Sequence, residues 1–293
     1  MTYHSIYRKR DFIINIHAFT TGTVRITHSW LRGTGSYPLR LARTLSDPRL
    51  TEPLPIWCFL IEHPEGLILI DTGIAADANK PIRFPPHMRL TQRAAPFQIS
   101  GADQEIGAQL RAHGFSPDDV RWVVLTHLHQ DHEGGLFHFP NAEFIVARAE
   151  WQAAAGLIGR MGGYLNTRWF KNFAPTLIDF NEDDAVFAGR HTLTQAGDVM
   201  LVPTPGHSKG HLSVIVQEDK NALLFAGDAS YTQDLLLADA LDGVSQDAPA
   251  ARRSHQQILT FAAQQPTVYL PSHEWAAQGR LERREPLSLE TKA

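Results

Sequence analysis

The chain has 293 residues, 43% of them hydrophobic, which is enough for one large domain or two ordinary ones. Its net charge of −4 lacks the basic excess that marks a nucleic-acid partner, and no apolar run reaches the length of a membrane span. Met1 to Arg10 is charged and no apolar stretch follows, so no secretory signal is expected; the lone Cys58 agrees with a reducing, cytoplasmic compartment.

In chain order, Asp11 to Thr27 predicts two strands around Thr21-Gly22, and Pro55 to Ile70 predicts a hairpin turning at Pro64-Glu65-Gly66. Between them, Trp30 to Pro55 holds Gly33, Gly35, Pro38, Pro48 and Pro53 and reads as an insertion, residues 30–55, near a site or a subunit interface. Residues 79–100 read as a second, loop-like insertion. They carry Lys80, Arg83, Arg89 and Arg93 beside Phe84, Met88, Leu90 and Phe97. Long loops of this kind serve as lids; Phe84 and Met88 are candidates for substrate binding, and a solvated surface loop or a dimer contact stays open.

Gly101 to His113 predicts a helix stopped by Gly114; Arg121 to Thr126 and Glu143 to Ala147 predict strands. Arg148 to Phe170 is predicted helical in part, broken at Gly162-Gly163. His191 to Val202 gives two strands around Gly197-Asp198, and Leu212 to Phe225 gives a hairpin turning at Glu218 to Asn221. Pro249 to Gln265 predicts a helix with a proline in its first turn, and Leu281 to Ala293 a polar tail. Periodicity supports an α/β or α+β protein. Chemistry-bearing residues come from both halves, so residues 1–293 are expected to form a single domain.

The chemistry concentrates in Thr126-His127-Leu128-His129-Gln130-Asp131-His132-Glu133-Gly134-Gly135, directly after the apolar run Trp122 to Leu125. Three imidazoles and a carboxylate in six positions suit a zinc-type site, and an apolar strand has no other use for such a cluster. In an extended stretch His127 and His129 point the same way, while Asp131 and His132 turn to the other side, which suggests two ions. Three further candidates follow apolar runs: His207 after Val199 to Val202, Asp228 after Ala222 to Leu224, and His273 after Val268 to Leu270. α/β proteins place active groups at such strand ends.

This pattern, HxHxDH followed by a distant His, a Gly-Asp and a final His at spacings of 75, 21 and 45, resembles the metallo-β-lactamase superfamily. Asp71-Thr72-Gly73, closing the run Leu67 to Ile70, resembles that superfamily's first motif, and the likeness spans roughly residues 55–275. The resemblance implies a four-layer αβ/βα sandwich with two divalent metal ions, zinc foremost, with iron, cobalt or manganese acceptable to the same donors. By the same carry-over His127, His129 and His207 hold one ion, Asp131, His132 and His273 the other, and Asp228 bridges them. Asp71 either orients a ligand from behind or simply forms a turn.

Gly227-Asp228-Ala229-Ser230-Tyr231 resembles the N-acyl-homoserine lactonases, the quorum-quenching branch of the superfamily. Their tyrosine steadies the substrate's carbonyl or leaving oxygen; a Tyr231 merely packed beneath its loop is the structural alternative. The implied reaction is hydrolytic opening of a small lactone by a hydroxide shared between the metals, with Tyr231 and Asp131 catalytic. Rival readings are a glyoxalase II-like thioesterase, a phosphoesterase, an RNA-processing nuclease and a metal-binding sensor without turnover. A membrane or nucleic-acid partner is not expected; a homodimer is compatible with the two insertions.

Overall fold

A computed structural model describes residues 14–80, 88–161, 163–166, 169–170 and 173–289. Its first sheet starts with β1 (Asn15–Val24), β2 (Leu54–His63) and β3 (Gly66–Ile70), paired antiparallel. β4 (Phe97–Gln98) pairs with β1; β5 (Val120–Val124), β6 (Glu143–Ala147) and β7 (Thr176–Ile178) continue from β3 in parallel. The order is β4-β1-β2-β3-β5-β6-β7. A second sheet of β8 (His191–Thr192), β9 (Val199–Pro203), β10 (Leu212–Gln217), β11 (Ala222–Gly227) and β12 (Thr267–Pro271) has the order β12-β11-β10-β9-β8.

The apolar strands read as unbroken hydrophobic runs because both faces of each sheet are covered. In β2, Phe59 and Ile61 point inward with Ile68 of β3, and meet Val214, Leu223, Phe225 and Val268 of the other sheet. The Phe59 and Phe225 rings lie 4.9 Å apart across that core. The alternate residues, Cys58 and Leu60, point outward against α4 (Ile106–Ala112) and α6 (Arg148–Ala154). On the far side Ile215, Leu224 and Tyr269 pack on Ile258 of α9 (Ala248–Gln264). Asp247 caps α9 by accepting from Ala250 N at 2.9 Å, and Pro249 stands in its first turn. The layers run helix, sheet, sheet, helix, as the resemblance implies. No helix among the described residues is long and apolar enough to cross a membrane.

Several sequence expectations are corrected. Of the pair of strands expected over Asp11 to Thr27, the described residues form one: β1 runs through Thr21-Gly22, where its pairing with β2 shifts register between Thr20 and Thr23. Gly22, at φ 140°, supplies a bulge rather than a hairpin turn. Residues 30–55 are not an irregular insertion, because α1 (His28–Leu31) reaches into them and α2 (Tyr37–Ser46) follows. Their turn formers flank α2, with Gly33 and Gly35 before it, Pro38 in its first turn and Pro48 and Pro53 after it. Residues 79–100 contain α3 (Arg89–Ala94) and β4; Phe84 lies outside the described residues. The supposed polar tail begins inside α10 (Ala276–Arg283) and continues to a buried Leu287 whose N–H donates to Thr267 O at 2.7 Å.

Candidate metal centre

The ends of β3, β5, β9, β11 and β12 bring the predicted residues to one rim of the two sheets. After β5 the chain runs through His127 and His129 into α5 (Gln130–Glu133), which carries Asp131 and His132. Gly134 lets α5 seat against the Asp71 turn, since a Cβ there would lie 2.7 Å from Gly73 O. Gly227, at φ 53° beneath Asp228, likewise leaves no room for a side chain beside His211 and Thr126.

Four of the five imidazoles are held through one nitrogen and face the centre with the other. His132 Nδ1 is 2.8 Å from Asp71 Oδ2, His207 Nδ1 is 3.2 Å from Asp242 Oδ2, His273 Nδ1 is 2.8 Å from Pro55 O, and His127 Nδ1 is 3.1 Å from Thr126 Oγ1. An acceptor at Nδ1 fixes the tautomer and leaves the Nε2 lone pair available. His129 instead turns Nδ1 inward, 3.0 Å from both His127 Nε2 and His207 Nε2. Asp71 holds a left-handed backbone (φ 58°) and accepts from Thr126 N at 2.8 Å as well as facing His132.

The inward atoms of His127, His129 and His207 lie within 4.8 Å of one another, as do those of His127, His132 and Asp228, and those of Asp131, His132 and His273; each group could hold a metal ion. Asp228 stands between them: Oδ1 is 3.3 Å from His132 Nε2 and 3.2 Å from His273 Nε2, and Oδ2 is 3.5 Å from His207 Nε2. Despite these short separations Asp228 Oδ1, His132 Nε2 and His273 Nε2 make no hydrogen bond. Buried polar atoms are rarely left so. Three of them converging with an all nitrogen-and-oxygen donor set suits divalent cations.

Electrostatics divide the imidazoles: His127 and His129 are pushed down, while the carboxylates around His132, His207 and His273 outweigh burial and push those rings up. Burial, then the neighbouring imidazoles, hold His127 and His129 well below the usual histidine range, so both are neutral donors. Burial lowers His132 too, but Asp228, Asp71 and Asp131 outweigh it and raise the ring. Burial pushes Asp228 up, yet His273 and His132 prevail and keep it ionised.

Tyr231 is 4% exposed, and its hydroxyl accepts from Trp30 Nε1 at 2.9 Å. Burial, with Asp228 and Asp242 nearby, raises the phenol well above its usual range and keeps it protonated. Tyr231, Asp131 and His273 border a cavity of about 350 Å³ whose remaining wall includes Val24, Ile26, Leu41, Leu45 and Phe97. Met88 lines it as well, with its side chain packed on Leu165. α2, which the sequence did not declare, supplies Leu41 and Leu45.

Sequence reasoning missed four supporting residues. Asp242 braces His207 and accepts from Val244 N, Ser245 N and Ser245 Oγ. His211 accepts from Asp228 N at 3.0 Å. Glu150, 1% exposed, accepts from Leu128 N, Ser208 Oγ and Gly210 N and so joins the two loops that carry His129 and His207. Trp30 reaches Tyr231 from α1. None stands in a motif; the spacing of Glu150 and His211 from apolar neighbours is that of ordinary surface or core positions.

A model of the metallo-β-lactamase superfamily matches residues 51–273. The N-acyl homoserine lactonase AttM of Rhizobium radiobacter is 31% identical over 235 residues, 76% of this chain and 84% of that protein. An N-acyl homoserine lactonase from a Bacillus species is 32% identical over 192 residues, 65% of this chain and 70% of its own. Among solved structures, an N-acyl homoserine lactone hydrolase with N-hexanoyl-L-homoserine bound at its catalytic metal centre aligns with a TM-score of 0.72 and 24% identity, covering 94% of this chain and 97% of that one. At that identity the likeness speaks for the fold.

Proposed function

The chain belongs to the metallo-β-lactamase superfamily, and from that premise we propose that it is a dinuclear metal-dependent hydrolase opening the lactone ring of N-acyl-homoserine lactones. The observation that carries this reading is the convergence of unpartnered buried donors around Asp228, with Tyr231 lining the same largely apolar cavity. His127, His129 and His207 would hold one ion and Asp131, His132 and His273 the other, with Asp228 within reach of both groups; zinc would suit these donors best. Two divalent ions bound there would supply a hydroxide nucleophile at neutral pH and would polarise the carbonyl under attack.

The residues themselves do the rest. Tyr231, a neutral phenol, donates a hydrogen bond to the lactone oxygen on which negative charge develops. Asp131, with 15% of its side chain exposed at the cavity edge, takes the nucleophile's proton and delivers it to the departing alkoxide. Val24, Ile26, Leu41, Leu45 and Phe97 bury the acyl chain and keep bulk water from the reacting carbonyl. Asp71 and Asp242 orient His132 and His207 from behind.

Proton release on adding N-acyl-homoserine lactones of several chain lengths to metal-loaded protein tests the reading, with chelated protein and a His132→Ala variant as controls. Rapid release that both controls abolish is expected. No release from protein shown to carry two metals per chain overturns the lactonase assignment.

A further inference from the structure

α2 turns one pair of side chains, Leu41 and Leu45, to the cavity and buries another, Arg40 and Thr44, beside the loop that carries Asp242. The fit against that loop is close. A Cβ on Gly243 would lie 2.1 Å from Thr44 Oγ1, and one on Gly33 would lie 2.7 Å from both Arg40 Cδ and Asp242 O. Arg40 is 3% exposed, and its guanidinium meets main-chain carbonyls: Nη1 donates to Gly35 O at 2.8 Å and Nη2 to Ser245 O at 2.7 Å. Its Nε has no hydrogen-bond partner among the described residues. Burying a guanidinium is costly, and more so when one of its donors is left unsatisfied. An apolar side chain would fill the same space without that cost, so the grip on the two carbonyls is what the charge contributes.

Ser245 is also the residue that holds Asp242. Its N–H donates to Asp242 Oδ1, its hydroxyl donates to Oδ2 at 2.7 Å, and the same Oδ2 faces His207 Nδ1 at 3.2 Å. We propose that Arg40 is a positioning residue for the metal centre: by fixing the backbone of Ser245 it holds Asp242 behind His207, and so ties the α2 wall of the cavity to that imidazole. The inference rests on the reading of His207 as a metal ligand and adds to it a residue that stands outside every ligand motif. A planar fork that reaches two carbonyls at once suits arginine, whereas the lysine ammonium is a single point of attachment.

Zinc titration against a chelator of known affinity tests the relay on wild type, Arg40→Met, Arg40→Lys, Asp242→Ala and the Arg40→Met/Asp242→Ala double variant. In Arg40→Met one of the two zinc affinities should fall about fivefold, an ordinary hydrogen bond's worth, and the other should not move. Arg40→Lys keeps the charge and one contact, so it should lose about threefold at the same site; it carries the test if Arg40→Met does not fold. In the Asp242→Ala background Arg40→Met should change neither affinity further, because the carboxylate that it holds is gone. Unchanged affinities in the folded variants, an equal fall at both sites, or an undiminished effect in the Asp242→Ala background each overturns the proposal. Wild type that binds no zinc removes the underlying metal reading and the proposal with it, an outcome visible before any variant is made.

Discussion

Trp30 and Tyr231, 201 positions apart, meet through a 2.9 Å hydrogen bond from the indole Nε1 to the phenolic oxygen. An indole N–H can only donate, so the tyrosine oxygen is the acceptor and its own proton is left to another partner. Trp30 is itself anchored: Thr27 Oγ1 accepts from its N–H at 3.2 Å, and its carbonyl accepts from Gly243 N at 2.6 Å. Tyr231→Phe should therefore lower kcat about a hundredfold, the scale on which one oxyanion donor acts, with metal content unchanged. Trp30→Phe keeps the phenol and loosens its aim, so kcat should fall only about fivefold, an ordinary hydrogen bond's worth. Single-turnover rates beside metal analysis check both; Tyr231→Phe with wild-type turnover removes the tyrosine from the chemistry.

Asp242 makes a different prediction because it acts through His207. Its Oδ2 faces His207 Nδ1 at 3.2 Å, and two backbone amides and the Ser245 hydroxyl hold the carboxylate in place. Asp242→Ala should weaken binding of the ion at His127, His129 and His207 by 10- to 100-fold, the usual cost of losing an orienting carboxylate. Zinc titration against a chelator of known affinity reads this directly. Two sites of unchanged affinity in the variant would show that His207 needs no such support.

What the sequence disclosed and what it hid follow from one difference. The clustering of His127, His129, Asp131, His132, His207, Asp228 and His273, in groups that could hold a metal ion, was legible because such donors recur at strand ends and apolar runs announce those strands. Their supports were not, because a carboxylate that accepts backbone hydrogens can come from any element the fold brings near. Asp242 sits in a loop and Glu150 in a helix, and nothing local distinguishes either from a solvated acid. α2 was hidden by its own ends, where glycine and proline crowd around a ten-residue helix. β7 and α8 (Gln233–Leu237) are short, three and five residues, below the length at which periodicity speaks.

Glu150 tests whether the loops bearing His129 and His207 depend on a common brace. Oε1 accepts from Leu128 N at 3.0 Å, while Oε2 accepts from Ser208 Oγ at 2.7 Å and Gly210 N at 3.0 Å. Gly210 has no room to rearrange, since a Cβ there would lie 2.0 Å from Glu150 N. Glu150→Ala leaves two buried amides and a hydroxyl without an acceptor and should cost about 2–4 kcal/mol of stability. Glu150→Gln retains an acceptor for one loop and should cost roughly half as much. Denaturation midpoints of the metal-loaded proteins decide; equal midpoints for wild type and Glu150→Ala would mean that the loops hold themselves.

The wall built by α2 sets the last expectation. Leu41 and Leu45, one helical turn apart, line the cavity that His129, Asp131 and Tyr231 also border. If the acyl chain lies along that face, added volume at position 45 should shorten the chain that fits while leaving the reacting end undisturbed. Leu45→Trp should then lower the preference for a decanoyl over a butanoyl lactone by about tenfold, within the range that one or two methylenes command in an apolar pocket. The change should appear in KM, since the chain is bound alike in the ground state and the transition state. A preference that stays fixed while both rates drop would mean that the helix supports the site without touching the chain, and would move the search for the acyl contacts to other lining residues such as Met88 and Ala95.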